Sequence, residues 1–100
     1  MELTAISNET QRRVVALFPP DQREEVSKLL ASKCGNNLPG LESLSGSELE
    51  RFQFAALKLS KGKIEEFFKA IELANLDWRD LLMAAEFGQD LNAHKSWFPK

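Results

Sequence analysis

The residue types that could support acid–base or metal chemistry in this chain come down to one histidine and one cysteine. His94 follows Asp90 by four residues, a spacing that puts both side chains on one face of a helix. Zinc takes three or four protein ligands, and no second histidine or cysteine is present to complete a set. We therefore expect no metal ion and no other cofactor, and we expect His94 to be exposed near the end of a short helix.

Cys34 paired with His94 is the one arrangement that would suit nucleophilic catalysis. Such a pair needs an activated thiolate and a third group that orients the histidine. Cys34 lies on the apolar side of a predicted helix, where a small buried sulfur is the usual finding. Adjacent acids such as Glu65 and Glu66 diverge by about 100° on a helix, so they do not form a catalytic dyad. The sequence therefore predicts that the protein is not an enzyme.

The densest run of charged and aromatic side chains is Asp77-Trp78-Arg79-Asp80. Asp77 is predicted to be the N-cap of a helix and to accept a hydrogen bond from the backbone N–H of Asp80. Asp80 in return reaches the backbone N–H of Asp77, and Leu76 and Leu81 form a hydrophobic staple over the same helix start. Most of this run is therefore explained by the beginning of a helix.

Two pairs of side chains are the candidates for contact with a protein partner: Trp78 with Arg79, and Trp97 with Phe98. Tryptophan and arginine are enriched among the residues that dominate binding energy at interfaces. Trp97 and Phe98 lie near the end of the sequence, where large aromatic rings should either fold onto the core or bind another chain. We expect Trp97 to dock on the protein's own core and Phe98 to point outward, towards a partner or a second copy.

Binding of nucleic acid is the alternative hypothesis, because residues 63–87 have the gross shape of a helix-turn-helix pair. The second helix of such a pair presents polar and basic side chains to the groove, whereas WRDLLMAAEF is mostly apolar. The net charge is −2, and a basic stripe would require Lys58, Lys61, Lys63 and Lys69 to meet in space. Nucleic acid is therefore the disfavoured partner.

The elements that position these residues are predicted to be helices, because apolar residues recur at helical spacing in almost every segment. Pro19 and Pro20 separate the first helix from the second, since proline does not fit a helix interior. A last short helix is expected from Asp90 to about Trp97. The other expected helix starts are Ser7 or Asn8, Asp21 with Glu24, Ser47 with Glu50, and Asp77, and the expected residues that end helices four and five are Asn75 and Gly88.

The composition predicts a single compact all-α domain over residues 1–100, made of five or six short helices. The hydrophobic fraction is 43% and the charged fraction 28%, as in ordinary globular proteins. Tyrosine is absent and β-branched residues are few, so strands are not expected. One cysteine allows no internal disulfide, and the sequence has neither a signal peptide nor an apolar run that could span a membrane. We therefore expect a cytoplasmic protein that does not bind membranes.

Three stretches of the sequence resemble small all-helical bacterial proteins to which no activity has been assigned. They are LFPPDQREEVSKLL at 17–30, AALKLS at 55–60 and DWRDLLMAAEFGQDLNAHKSW at 77–97. The resemblance extends over most of the chain, from about Leu17 to Trp97. It implies a bacterial, cytoplasmic origin and carries over no functional residue.

The leading hypothesis is a small non-enzymatic helical domain that acts through a protein partner or by self-association. Accessory proteins and toxin-neutralising immunity proteins are often small, mildly acidic helical domains of this kind. A broad exposed apolar patch would favour this hypothesis. A basic stripe would favour nucleic-acid binding instead, and a deep polar pocket around His94 would favour an enzyme.

Overall fold

Five α-helices and one 3₁₀ turn make up the ordered elements of the computed structural model, which describes residues 6–34, 46–88 and 93–99. The helices are α1 (Asn8–Leu17), α2 (Pro20–Lys33), α3 (Gly46–Ser60), α4 (Ile64–Leu76) and α5 (Trp78–Ala84), and the 3₁₀ turn is Ala93–Ser96. Within these described ranges there is no strand, and the helices pack into one globule. The prediction of a compact all-α fold is confirmed.

Helix α3 forms the centre of the molecule. Residues 52–57 are all buried, although a helix that packs on one side only would expose about half of them. The elements packed on α3 are α1, α4, α5 and the 3₁₀ turn, while α2 packs against α1 and α4. Side chains on different sides of α3 therefore position different parts of the protein surface.

The helix starts follow the predicted caps only in part. Ser7 is the N-cap of α1, and its hydroxyl accepts a hydrogen bond from the backbone N–H of Thr10 at 3.1 Å. The prediction that Asp21 caps α2 is wrong, because the helix begins at Pro20, whose missing N–H and preset φ suit the first helical position. Helix α3 begins at Gly46, so the predicted cap Ser47 is inside its first turn. Asp90, another predicted cap, lies outside the described residues.

A single residue, Asp77, connects α4 to α5. Its carboxylate accepts a hydrogen bond from the backbone N–H of Arg79 at 3.0 Å, one residue earlier than the predicted donor, Asp80. The predicted hydrophobic staple is wrong, because Leu76 is 84% exposed while Leu81 is buried. The backbone at Asp77 is extended, with φ −157° and ψ 101°, and the two leucines belong to different helices.

Helices α4 and α5 also end differently from the prediction. Asn75 is helical, and its side-chain amide donates to the carbonyl of Ile71 and to that of Lys33 at the end of α2. Helix α5 ends before Gly88, with Glu86 in the left-handed region at φ 66°. The N–H groups of Glu86 and Phe87 bond to carbonyls of the last turn, which is the Schellman arrangement in which glycine is common.

Replacing Asp77 by alanine should lower the free energy of unfolding by about 1 kcal/mol, the usual loss when an N-cap is removed. Asp80→Ala is the matched control, since it removes a first-turn carboxylate that makes no capping bond, and it should cost less than half as much. Urea unfolding followed by circular dichroism measures both values. Equal losses in the two variants would show that Asp77 does not act as a cap.

Candidate partner-binding surface

Helix α5 presents an aromatic ring and an exposed thioether side by side. Trp78 is half-buried, and its ring stands edge-on to that of Phe52, with 5.6 Å between the centroids and 88° between the planes. Leu82, one turn further along, is buried on the same side of the helix. Arg79 and Met83 form the adjacent row, and Met83 is 59% exposed. This side of α5 therefore carries one large exposed apolar side chain, that of Met83, next to the charged Arg79.

An open groove of about 500 Å³ runs along this side of α5. We call it the α5 groove. Its volume falls within the range that proteins use for binding sites. Among the described residues that line it there are two arginines and no acid, in a chain whose net charge is −2. The lining residues are Arg51, Trp78, Arg79, Leu82, Met83 and Gly88.

Arg51 is fixed at one rim of the α5 groove by backbone carbonyls. Its Nε and Nη2 donate to the carbonyl of Phe87 at 3.1 and 2.6 Å, and Nη2 also donates to that of Gly88 at 3.3 Å. These bonds tie α3 to the segment that follows α5. Because a carbonyl is neutral, they orient the guanidinium without cancelling its charge.

Arg79 supplies the second positive charge of the α5 groove. Its side chain is exposed, with Nε 3.5 Å from a carboxylate oxygen of Asp77 and the guanidinium carbon 5.8 Å from the Trp78 ring centroid. An ion pair as open to solvent as this one is weak. The guanidinium therefore remains available to a carboxylate from another molecule.

The structure separates the two predicted pairs of partner-binding residues. Trp97 packs at 6.2 Å from Phe54, measured between ring centroids, whereas Trp78 packs on Phe52. Two residues along a helix correspond to a rotation of about 200°, so these contacts lie on opposite sides of α3. The expected docking of Trp97 on the core is confirmed, and Phe98 is 41% exposed. Trp78 with Arg79 and Trp97 with Phe98 do not form one surface.

Arg13 is a structural residue that the sequence analysis missed. It is only 4% exposed, and its Nε and Nη2 donate to the backbone carbonyl of Trp97 at 3.1 and 2.8 Å. Its guanidinium carbon lies 4.0 Å from the ring centroid of Phe54 and 4.9 Å from that of Phe98. The signal was present in the spacing, since Arg13 falls on the buried stripe of α1 between Thr10 and Leu17.

The expectation that His94 is exposed is wrong. The imidazole is 0% exposed and packs edge-on against Phe54 and Phe87, with 5.5 and 6.2 Å between ring centroids. Neither Nδ1 nor Nε2 has a hydrogen-bond partner among the described residues. Burial lowers the pKa of His94, and the nearby Glu50 carboxylate only partly opposes this effect. The ring is therefore neutral near pH 7. It packs the 3₁₀ turn onto the core in the way an apolar side chain would.

Cys34 is buried, as the sequence predicts. Its Sγ donates to the carbonyl of Phe52 at 3.5 Å, and burial raises the pKa of the thiol to about 12. The thiol is therefore protonated and unreactive as a nucleophile. Within the described ranges, no cluster of three or more histidine, cysteine, aspartate and glutamate residues could hold a metal ion.

Two of the four lysines considered for a nucleic-acid surface contact other groups of this protein. Lys58 donates to the carbonyl of Ala85 at 2.8 Å and lies 3.7 Å from the carboxylate of Glu86. Lys69 lies 3.4 Å from the carboxylate of Glu66. Two of the four basic charges thus face acidic partners of this chain.

Comparison of the chain with protein-family models, with curated proteins and with solved structures gave no match. Among the helices described above, none combines the length and the apolar character needed to cross a bilayer. The geometry of the α5 groove is therefore the basis for assigning a function.

Proposed function

We propose that this protein is a non-enzymatic helical domain that acts by binding a protein partner through the α5 groove. The observation that carries the proposal is the exposed thioether of Met83 beside the half-buried ring of Trp78, in an open groove with an arginine at each rim. Aromatic residues, methionine and arginine are the types enriched at the cores of protein interfaces. An unpartnered surface with this composition suits docking of another chain.

The chemistry of the α5 groove favours binding over catalysis. Among the described residues that line the groove, none has a carboxylate, hydroxyl, thiol or imidazole. These are the groups that transfer protons or attack substrates near neutral pH. The one cysteine and the one histidine of the chain, Cys34 and His94, are buried in the core. A bacterial cytoplasmic accessory or immunity-like role is part of the proposal, and the buried, reduced thiol is compatible with that compartment.

A photo-crosslinking residue placed at position 83 in cells that make the protein should capture a defined partner. Binding of that partner is then measured with purified proteins. Met83→Asp should weaken the affinity at least tenfold, because it places a charge in the apolar contact. The matched control is Val15→Asp, which alters an exposed apolar residue of α1 outside the groove lining and should leave the affinity unchanged.

Two results would overturn this function. One is equal affinity of the wild type and Met83→Asp for every partner captured at position 83. The other is a loss of binding in Phe98→Ala without a loss in Met83→Asp, which would place the interface at the opposite side of α3.

A further inference from the structure

Among the described residues that line the α5 groove, no acid balances the charge of the two arginines. Arg51 is held by neutral carbonyls, and the contact of Arg79 with Asp77 is open to solvent. Asp80 precedes Met83 by one turn but is not among the residues that line the groove. A ligand in the groove therefore meets two guanidinium groups over an apolar floor.

The shape of the groove side of α5 fits a helix. Trp78 and Leu82 form one row of side chains, and Arg79 and Met83 form the next, with the members of each row four positions apart. Rows of this spacing interdigitate with the matching rows of a second helix. Addition of a peptide as a β-strand needs an exposed sheet edge, and the described part of the chain contains no strand.

We propose that the α5 groove binds an acidic amphipathic helix of the partner, an inference that rests on the partner-binding function proposed above. Apolar residues on successive turns of that helix contact Trp78 and Met83. Carboxylates flanking its apolar stripe pair with Arg51 and Arg79, where planar guanidinium groups bind carboxylates with defined geometry. A net charge of −2 gives the chain as a whole no general attraction for an acidic segment, so the two arginines of the groove are its source of complementary charge.

The test uses the Trp97→Phe variant, because the chain has two tryptophans and this change leaves Trp78 as the only fluorescent reporter. The probes are two synthetic helical peptides about four turns long with leucine on one face. One carries glutamate and the other lysine at all remaining exposed positions. The acidic peptide should shift the Trp78 emission and bind at least tenfold more tightly than the basic peptide at low ionic strength. Added salt should reduce this preference.

Variants of Arg79 separate charge from packing. Arg79→Gln should weaken the acidic peptide at least threefold, Arg79→Lys should lose less because it keeps the charge, and Val15→Asp, on α1, should have no effect. Equal losses in Arg79→Gln and Arg79→Lys would contradict the assigned pairing of charges.

Three outcomes would overturn the inference. Tighter binding of the basic peptide than of the acidic peptide would overturn it while leaving the partner-binding function intact. Failure of both peptides to bind would also overturn the inference. The partner-binding function would then be tested separately, with the partner that is crosslinked at position 83. Sedimentation of the protein alone as a dimer that Met83→Asp dissociates would make a second copy the occupant.

Discussion

Replacing Arg13 by alanine should lower the free energy of unfolding by about 3 kcal/mol, the largest effect expected for any charged residue described here. The change removes two hydrogen bonds to the carbonyl of Trp97 and two to Glu9, and it uncovers the face of the Phe54 ring. Urea unfolding at neutral pH measures the loss. Arg13→Lys should recover only part of it, because an ammonium group does not reproduce the planar set of donors.

The neighbouring residue supplies a matched control for this prediction. Arg12 has the same side chain, pairs with the same Glu9 and also lies near the ring of Phe98, but it is 66% exposed. Arg12→Ala should leave the unfolding midpoint close to that of the wild type. Similar midpoints for the two alanine variants would mean that Arg13 does not hold the segment around Trp97 on the domain.

Acidification should destabilise the protein in the pH range where a free histidine becomes protonated. The folded state lowers the pKa of His94 below its ordinary value of 6.5, so the unfolded chain binds the proton more readily. The contribution of His94 to the free energy of unfolding is fully present above about pH 6.5. Below that pH the free energy of unfolding falls, by at most about 1.4 kcal/mol per pH unit. The fall ends once the pH is below the pKa of the folded state.

Replacing His94 by leucine should remove this pH dependence and stabilise the protein at neutral pH by about 1 kcal/mol or more. Both ring nitrogens are buried without a partner in the described part of the chain, and an apolar side chain of similar size avoids that desolvation cost. The pKa of Glu9 is lowered, first by its hydrogen bond from Arg13, so its contribution is lost only below its ordinary value of 4.5. Urea melts between about pH 7.5 and 5 therefore isolate His94. A flat profile for the wild type, or the same slope in His94→Leu, would contradict the prediction.

Local chemistry explains which features of the fold were predictable. Helical periodicity, the proline pair at 19–20 and the cap at Ser7 act over a few residues, and each is confirmed by the start or end of a helix. The cap at Asp77 was predicted with a donor one residue away from the observed one. These features depend on backbone hydrogen bonds within one or two turns, which a sequence displays directly.

Contacts between distant segments explain what was not predictable. His94 is buried because Phe54 and Phe87 close around it, and nothing next to His94 in the sequence indicates this. The α5 groove likewise requires Arg51 to reach the carbonyls after α5. Trp78 and Arg79 could be identified by residue type, but the charge of their surroundings could be read only from the packed structure.

Gly62 adds a constraint of another kind, because its φ is 79° and a Cβ there would lie 2.9 Å from the carbonyl oxygen of Leu17. The turn between α3 and α4 is thereby tied to the end of α1, and any other side chain would have to move backbone rather than a flexible neighbour. Among random variants of this protein, substitutions at Gly62 should be depleted as strongly as those in the core.

The bond between Arg13 and Trp97 joins residues 84 positions apart, which has a consequence for the protein during its synthesis. A ribosome adding about 5–20 residues per second needs roughly 4–17 seconds to translate that interval. Throughout this time Arg13 of the nascent chain lacks the carbonyl of Trp97 as its hydrogen-bond acceptor. The Phe54 ring, once translated, is not yet packed against Trp97. This contact therefore forms only after Trp97 has been translated, and chaperones that bind exposed aromatic residues have a window of seconds in which to act.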